Sequence, residues 1–146
     1  MKTFSITFVL LALIGLYSFT TLNKKTKSDE GITFHIGTWQ QALDLAKKEN
    51  KMIFLDAYAS WCGPCKKMKR TTFADKNVAD YYNKNFINVA IDMEKGEGPM
   101  LAERYSVEAY PTLIFIKPDG KLFGKTMGFH SVSQFLEIGQ KVIKAK

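Results

Sequence analysis

The sequence predicts an α/β fold, a central mixed β-sheet flanked by helices on both faces, and three observations carry that expectation. Apolar runs of strand length recur at 52–58 and 86–92, with helical patterns between them; a Pro-Asp-Gly turn joins two later strand candidates; and a capped amphipathic segment closes the chain. Parallel crossovers early and a hairpin plus helix late make a sheet covered on both sides.

Taken in order, Ile32–Ile36 alternates weakly and is expected to be a first strand. Thr38 followed by Gln41 reads as a capping box opening a helix through about Glu49, with Trp39, Leu43 and Ala46 on one face. Met52–Tyr58 (MIFLDAY) is apolar throughout, as a strand buried on both faces must be. Cys62 to about Thr71 is expected to be helical, and Asp75 is placed to cap a further helix over Lys76–Asn83. Phe86–Asp92 (FINVAID) is the next buried strand. Gly96 to Pro99 breaks the chain ahead of a short helix around Met100–Tyr105. This gives a β-α-β-α-β-α alternation. Thr112–Ile116 and Leu122–Met127 flank Pro118-Asp119-Gly120 and form an antiparallel hairpin. Ser131 with Gln134 is a second capping box, and Val132, Phe135, Leu136, Val142 and Ile143 recur at helical spacing to face the sheet.

The 146 residues suffice for one folded domain, and a hydrophobic fraction of 46% with 11 Phe, 6 Tyr and 2 Trp supplies a core that offsets chain entropy. Residues 1–22 read as a separate element: Lys2 precedes a charge-free stretch from Phe4 to Leu22, the pattern of a signal peptide or N-terminal membrane anchor. The small residues nearest a cleavage point are Ser18 and Thr20, and the absence of cysteine there excludes a lipid-modified anchor. Residues 23–30 are a polar linker, and the folded domain is expected over 31–146. The net charge of +7 suggests nucleic acid only at first sight. Lys2, Lys24, Lys25 and Lys27 hold four of those seven charges, with no acid before Asp29, so the domain itself is only mildly basic and no nucleic-acid partner is expected.

Chemistry concentrates at Trp61-Cys62-Gly63-Pro64-Cys65, which contains both cysteines of the chain and lies where a buried strand hands over to a helix. The spacing puts the two sulfurs on one helical face within disulfide reach. Pro64 suits a first helical turn, where its missing N–H has no partner to lose. Unpaired amides and the helix dipole favour a thiolate on Cys62, which is expected to be the more exposed and more acidic thiol and the nucleophile, with Cys65 resolving. A purely structural disulfide would close a very small loop and constrain the unfolded chain little. Zinc would need more ligands than two cysteines with His35 and His130 provide, and those histidines read as surface or core residues. The basic run Lys66, Lys67, Lys69 and Arg70 reads as a solvated helix face, with steering of acidic partners as the alternative.

WCGPC after a strand of the form IFLDAY, with Tyr110-Pro111-Thr112 leading into a later strand, resembles the thioredoxin family over roughly Gly31 to Lys146. Within it, SWCGPCKKMKRTTFADKNV, with Arg70 where thioredoxins carry a helix-kinking proline, is similar to the exported branch that includes the C-terminal domain of the disulfide reductase DsbD. The resemblance implies a thioredoxin fold and a protein thiol:disulfide oxidoreductase, acting as a reductant by its Gly63-Pro64 pair; an oxidase or isomerase, or a binding or chaperone module on the same fold, are the alternatives. It implies Cys62 and Cys65 as the redox pair, Trp61 as a ring shielding the site, and Asp56 as a buried acid taking the proton of the resolving thiol. Asp56 alone also reads as a solvated strand-end residue. Pro111 matches the family's cis proline, Tyr110 offers a backbone edge to substrate, and Gly63, Pro64 and Gly128 line the substrate groove. The family's lysine near the buried acid is replaced by Asn88. No cofactor beyond the redox-active disulfide Cys62–Cys65 is implied. The partners are disulfide-containing proteins and a membrane electron donor or acceptor, in the periplasm, with the N-terminal segment as an anchor to the inner membrane if it is retained.

Overall fold

Thr38 Oγ1 accepts from the Gln41 N–H at 3.2 Å while Gln41 Oε1 accepts from the Thr38 N–H at 2.9 Å, so the first capping box forms in the computed structural model. The structure describes residues 31–146; the signal or anchor segment and the linker lie outside the described residues. The box opens α1 (Trp39–Glu49), which buries Trp39, Ala42, Leu43 and Ala46 and stops at Asn50, in the left-handed conformation at φ 49°. Asparagine tolerates that conformation where most side chains do not.

β1 (Met52–Tyr58) is the central strand. Parallel β2 (Phe86–Asp92) lies on one side, antiparallel β3 (Thr112–Ile116) on the other, and β4 (Leu122–Met127) pairs antiparallel with β3, giving the order β2-β1-β3-β4. Successive residues of β1 face opposite sides. Ile53, Leu55 and Ala57 pack with Trp39, Leu43, Leu101 and Tyr105 in one core, and Met52 and Phe54 with Met68, Tyr82 and Phe135 in the other. The first core is covered by α1 and α4 (Gly98–Arg104), the second by α2 (Gly63–Arg70), α3 (Lys76–Asn85) and α5 (Val132–Lys144). Asp56 shares the face of Met52 and Phe54, which points the one carboxylate of β1 towards α2.

The bounds of β2, β3 and β4 fall where the sequence puts them. The hairpin turns with the Gly120 N–H donating to the Lys117 carbonyl at 2.8 Å, at a φ of +82° that glycine takes without strain. Ser131 caps α5 as expected, and α5 locks onto α3 where Tyr82 and Phe135 stack at 4.1 Å between ring centroids.

Ile32–Ile36 is not a strand, which corrects the sequence reading. Its backbone donors diverge: Ile32 N–H goes to the Phe73 carbonyl at 2.7 Å, Thr33 N–H to Asn83 Oδ1 at 2.8 Å, and only His35 N–H reaches β2, at the Asn88 carbonyl. No ladder forms, and the expected alternation loses its first strand. Helix bounds differ more modestly. α3 runs on to Asn85, directly into β2, and α4 starts at Gly98 because Pro99 occupies its first turn. A side chain at position 98 would run into the Asp92 carbonyl, which explains the glycine.

Candidate active site

β1 delivers the chain to Tyr58, and four residues later Cys62 becomes the N-cap of α2 with extended φ and ψ of −68° and 113°. Its Sγ accepts from the Cys65 N–H at 3.1 Å, the contact a capping oxygen would otherwise make. The two cysteines form a disulfide with 5.4 Å between their Cα atoms. Pro64 lies in the first turn, α2 has no acid there, and Lys67, Lys69 and Arg70 fill its last turn, an arrangement complementary to the helix dipole.

Tyr110-Pro111 is a cis peptide, and Tyr110 packs on the cluster of Ala59, Cys62 and Cys65. The Pro111 carbonyl accepts from the Gly128 N–H at 2.8 Å, with Gly128 at φ +90°. His130 ties this corner together. Its ring nitrogens lie 2.9 Å from the Gly128 carbonyl and 3.2 Å from Thr126 Oγ1, and its own carbonyl accepts from Thr72. Gly63 and Pro64 are exposed beside the disulfide.

Both cysteines are buried as residues of the disulfide, Cys62 at 2% and Cys65 at 6% exposed. The cap position tucks the Cys62 Sγ onto the Cys65 amide, and Tyr110 packs on the pair. Trp61, by contrast, is 67% exposed. Its Nε1 donates to Glu94 Oε2 at 2.9 Å and its ring meets Tyr110 edge-on at 5.9 Å.

Asp56 is 7% exposed, and its Oδ1 has no protein partner. Burial pushes its pKa up to about 7, and the Lys69 charge pulls it partly back. Asp56, Cys65, Lys66, Lys69, Phe34 and Phe73 share one cavity of about 280 Å³, space for several waters between the carboxyl and the second cysteine. Asn88 is not its neighbour in register: it pairs with Phe54, while Ala90 lies opposite Asp56, and the Asn88 amide donates to Asn83 Oδ1 and the Thr33 carbonyl. The positive charge near the acid therefore comes from α2.

Four contributors escape the sequence reading. Lys69 stands one turn after Cys65, so helical spacing alone carried its signal. Glu94 follows β2, and the parallel pairing that sets Tyr58 beside Asp92 brings the two following loops together. Lys95 Nζ reaches Ser60 Oγ at 3.3 Å in the same junction. Phe129, beside Gly128, lies under the Lys67 ammonium at 4.6 Å, so the basic run is not merely solvated. Among the described residues no group of three or more His, Cys, Asp and Glu could hold a metal, and no helix is long and apolar enough to cross a membrane.

The thioredoxin-like domain family matches residues 39–143 of this chain. Thioredoxin-1 of Drosophila melanogaster is 40% identical over 74 residues, 51% of this chain and 64% of that protein. The thiol:disulfide interchange protein DsbD of Pseudomonas fluorescens is 33% identical over 82 residues, 56% of this chain but 14% of DsbD. A solved Bacteroides thetaiotaomicron protein described as a disulphide-isomerase superposes with a TM-score of 0.71 at 38% identity, covering 80% of this chain and 97% of that one. The chain thus spans less than two thirds of the fly thioredoxin and a small part of DsbD.

Proposed function

This chain belongs to the thioredoxin-like family, and from that premise we propose that it is a protein thiol:disulfide oxidoreductase that reduces disulfides of exported proteins through Cys62 and Cys65. The observation that carries the reading is the Cys62 sulfur held as the N-cap of α2, 3.1 Å from the Cys65 amide, where a thiolate is stabilised by the helix start.

In the reduced protein the Cys62 thiolate attacks one sulfur of a substrate disulfide. The substrate S–S bond breaks, its other sulfur leaves as a thiolate and takes up a proton, and a mixed disulfide joins substrate to Cys62. Cys65 then gives its proton to Asp56 by way of water in the shared cavity and attacks Cys62 Sγ. The second substrate sulfur leaves, and the Cys62–Cys65 disulfide remains. A carboxyl with a pKa of about 7 suits this transfer, because it accepts and returns a proton near neutral pH. Tyr110, packed on the disulfide, together with Pro111, Gly128, Gly63, Pro64 and Trp61 would hold the substrate strand.

Lys2 and the apolar 4–22 stretch support the reading of an exported, periplasmic domain, with this segment as a signal peptide or anchor. A membrane electron donor then returns the disulfide to the dithiol. A full-length fusion to a reporter active only outside the cytoplasm should be active; activity of a cytoplasmic reporter alone would remove the localisation.

A second reading, disulfide isomerase, is favoured by the description of the Bacteroides relative. Equilibration with glutathione separates the two. Thioredoxins sit at about −270 mV, against about −180 mV for protein disulfide isomerase. A potential near the lower value, with turnover of a protein disulfide, supports the reductase; a value near the higher one replaces it with the isomerase.

A further inference from the structure

Every exposed side chain of α2 beyond Pro64 is a cation: Lys66, Lys67, Lys69 and Arg70. None of the four joins an ion pair among the described residues. This face begins at the redox pair itself, because Cys62 caps the same helix. It also continues into the groove beyond the disulfide, since the Lys67 ammonium stands 4.6 Å over the ring of Phe129, and the neighbouring Gly128 is hydrogen-bonded to Pro111. Phe129 is 39% exposed, so cation and ring together present a mixed basic and apolar platform beside the sulfurs.

The opposite flank of the disulfide has the other sign. Glu94 accepts from the exposed Trp61 indole, while Asp92, at the end of β2, is paired with Lys95 at 3.3 Å. The charge around the site is therefore uneven, with unneutralised positive charge on α2 and the Glu94 carboxylate beside Trp61. Such charges raise encounter rates with an oppositely charged partner, an effect that salt screens.

We propose that the basic face of α2, led by Lys67 on Phe129, docks an acidic segment of the protein whose disulfide is exchanged, and so selects substrates carrying acid beside the reacting cysteine. The proposal rests on the oxidoreductase reading and adds the chemical character of the substrate to it. The anchor is a cation–π pair already formed in the free protein, so the lysine is held in place before the substrate arrives.

The test uses the full chain and matched disulfide peptides flanked by Glu, Gln or Lys. The wild type should reduce the Glu peptide with kcat/KM about tenfold above the Lys peptide at low salt, with the gap closing as salt rises. The variant Lys67→Glu with Arg70→Glu should invert that order, a change that loss of folding cannot mimic because misfolding lowers both rates. Equal rates on the three peptides, or an order that survives the double variant, would overturn the docking proposal and leave the oxidoreductase standing. Failure of the wild type to reduce any of the three would sink the oxidoreductase reading. Sedimentation with phosphatidylglycerol vesicles that the double variant abolishes, without any peptide preference, would assign the face to a lipid surface instead.

Discussion

Lys69 reaches from α2 into the cavity that holds Asp56, and its charge opposes the burial that lifts the carboxyl to a pKa of about 7. The lysine stands one helical turn after Cys65, so the resolving cysteine and the charge that tunes its proton acceptor are fixed by one helix.

Replacing that lysine tests the coupling. Lys69→Met removes the opposing charge, so the Asp56 pKa should rise further, and the pH profile for release of the mixed disulfide should move to higher pH. Stopped-flow release rates across pH 6 to 9 read this directly. A profile that does not move would mean that Lys69 is only a surface charge.

Asp56 itself should carry a pH-dependent stability. Its pKa is about 7 in the fold against an ordinary carboxylate value of 3.8, so the folded state holds the proton more tightly. The folded state is therefore favoured at low pH, and stability falls as pH rises from about 4 to 7 and is level above. About three units correspond to on the order of 4 kcal/mol. Asp56→Asn should remove this dependence, leaving the variant more stable than wild type at pH 8 and little changed at pH 4, while slowing release and changing attack by Cys62 less. Urea unfolding at the two pH values checks the first part. A variant less stable at pH 8 with normal release would make Asp56 a structural residue.

How far the sequence reached depended on whether the signal was local. Apolar runs fixed by burial on two faces mark β2 and β3 well, and the Ser131–Gln134 and Thr38–Gln41 boxes are satisfied within four residues of chain. Ile32–Ile36 looks like a strand by the same local pattern, yet its donors are claimed by Phe73, Asn83 and Asn88, three partners distant in sequence. At the site, WCGPC and Asp56 stand out by spacing. Lys69 was hidden because it belongs to a run of cations that reads as solvent-facing, and Glu94 because only the β1–β2 pairing brings it to Trp61. Tyr110, far along the chain, packs on the two cysteines, a contact that no local pattern announces.

The seam between α3 and α5 should be a point of stability separate from chemistry. Tyr82 donates its hydroxyl to the Phe135 carbonyl at 2.8 Å, and a Cβ at Gly139 would come within 2.9 Å of the Tyr82 ring. Tyr82→Phe should cost about 1 kcal/mol by removing that buried hydrogen bond. Gly139→Ala should also destabilise, through the clash with the ring. Neither should alter disulfide reduction at temperatures where the variant is folded. Denaturant titration with a parallel activity assay tests this, and a neutral Gly139→Ala would show that the ring has room to move.

The central claim is that Cys62 is the attacking sulfur and Cys65 the resolving one. One measurement decides it: reduced Cys65→Ser and Cys62→Ser proteins are mixed with a disulfide-bonded protein, and the covalent adducts are mapped by peptide mass. The account predicts a persistent mixed disulfide on Cys62 in the Cys65→Ser protein and far less adduct in the Cys62→Ser protein. Equal adducts, or adduct formed mainly through Cys65, would contradict it.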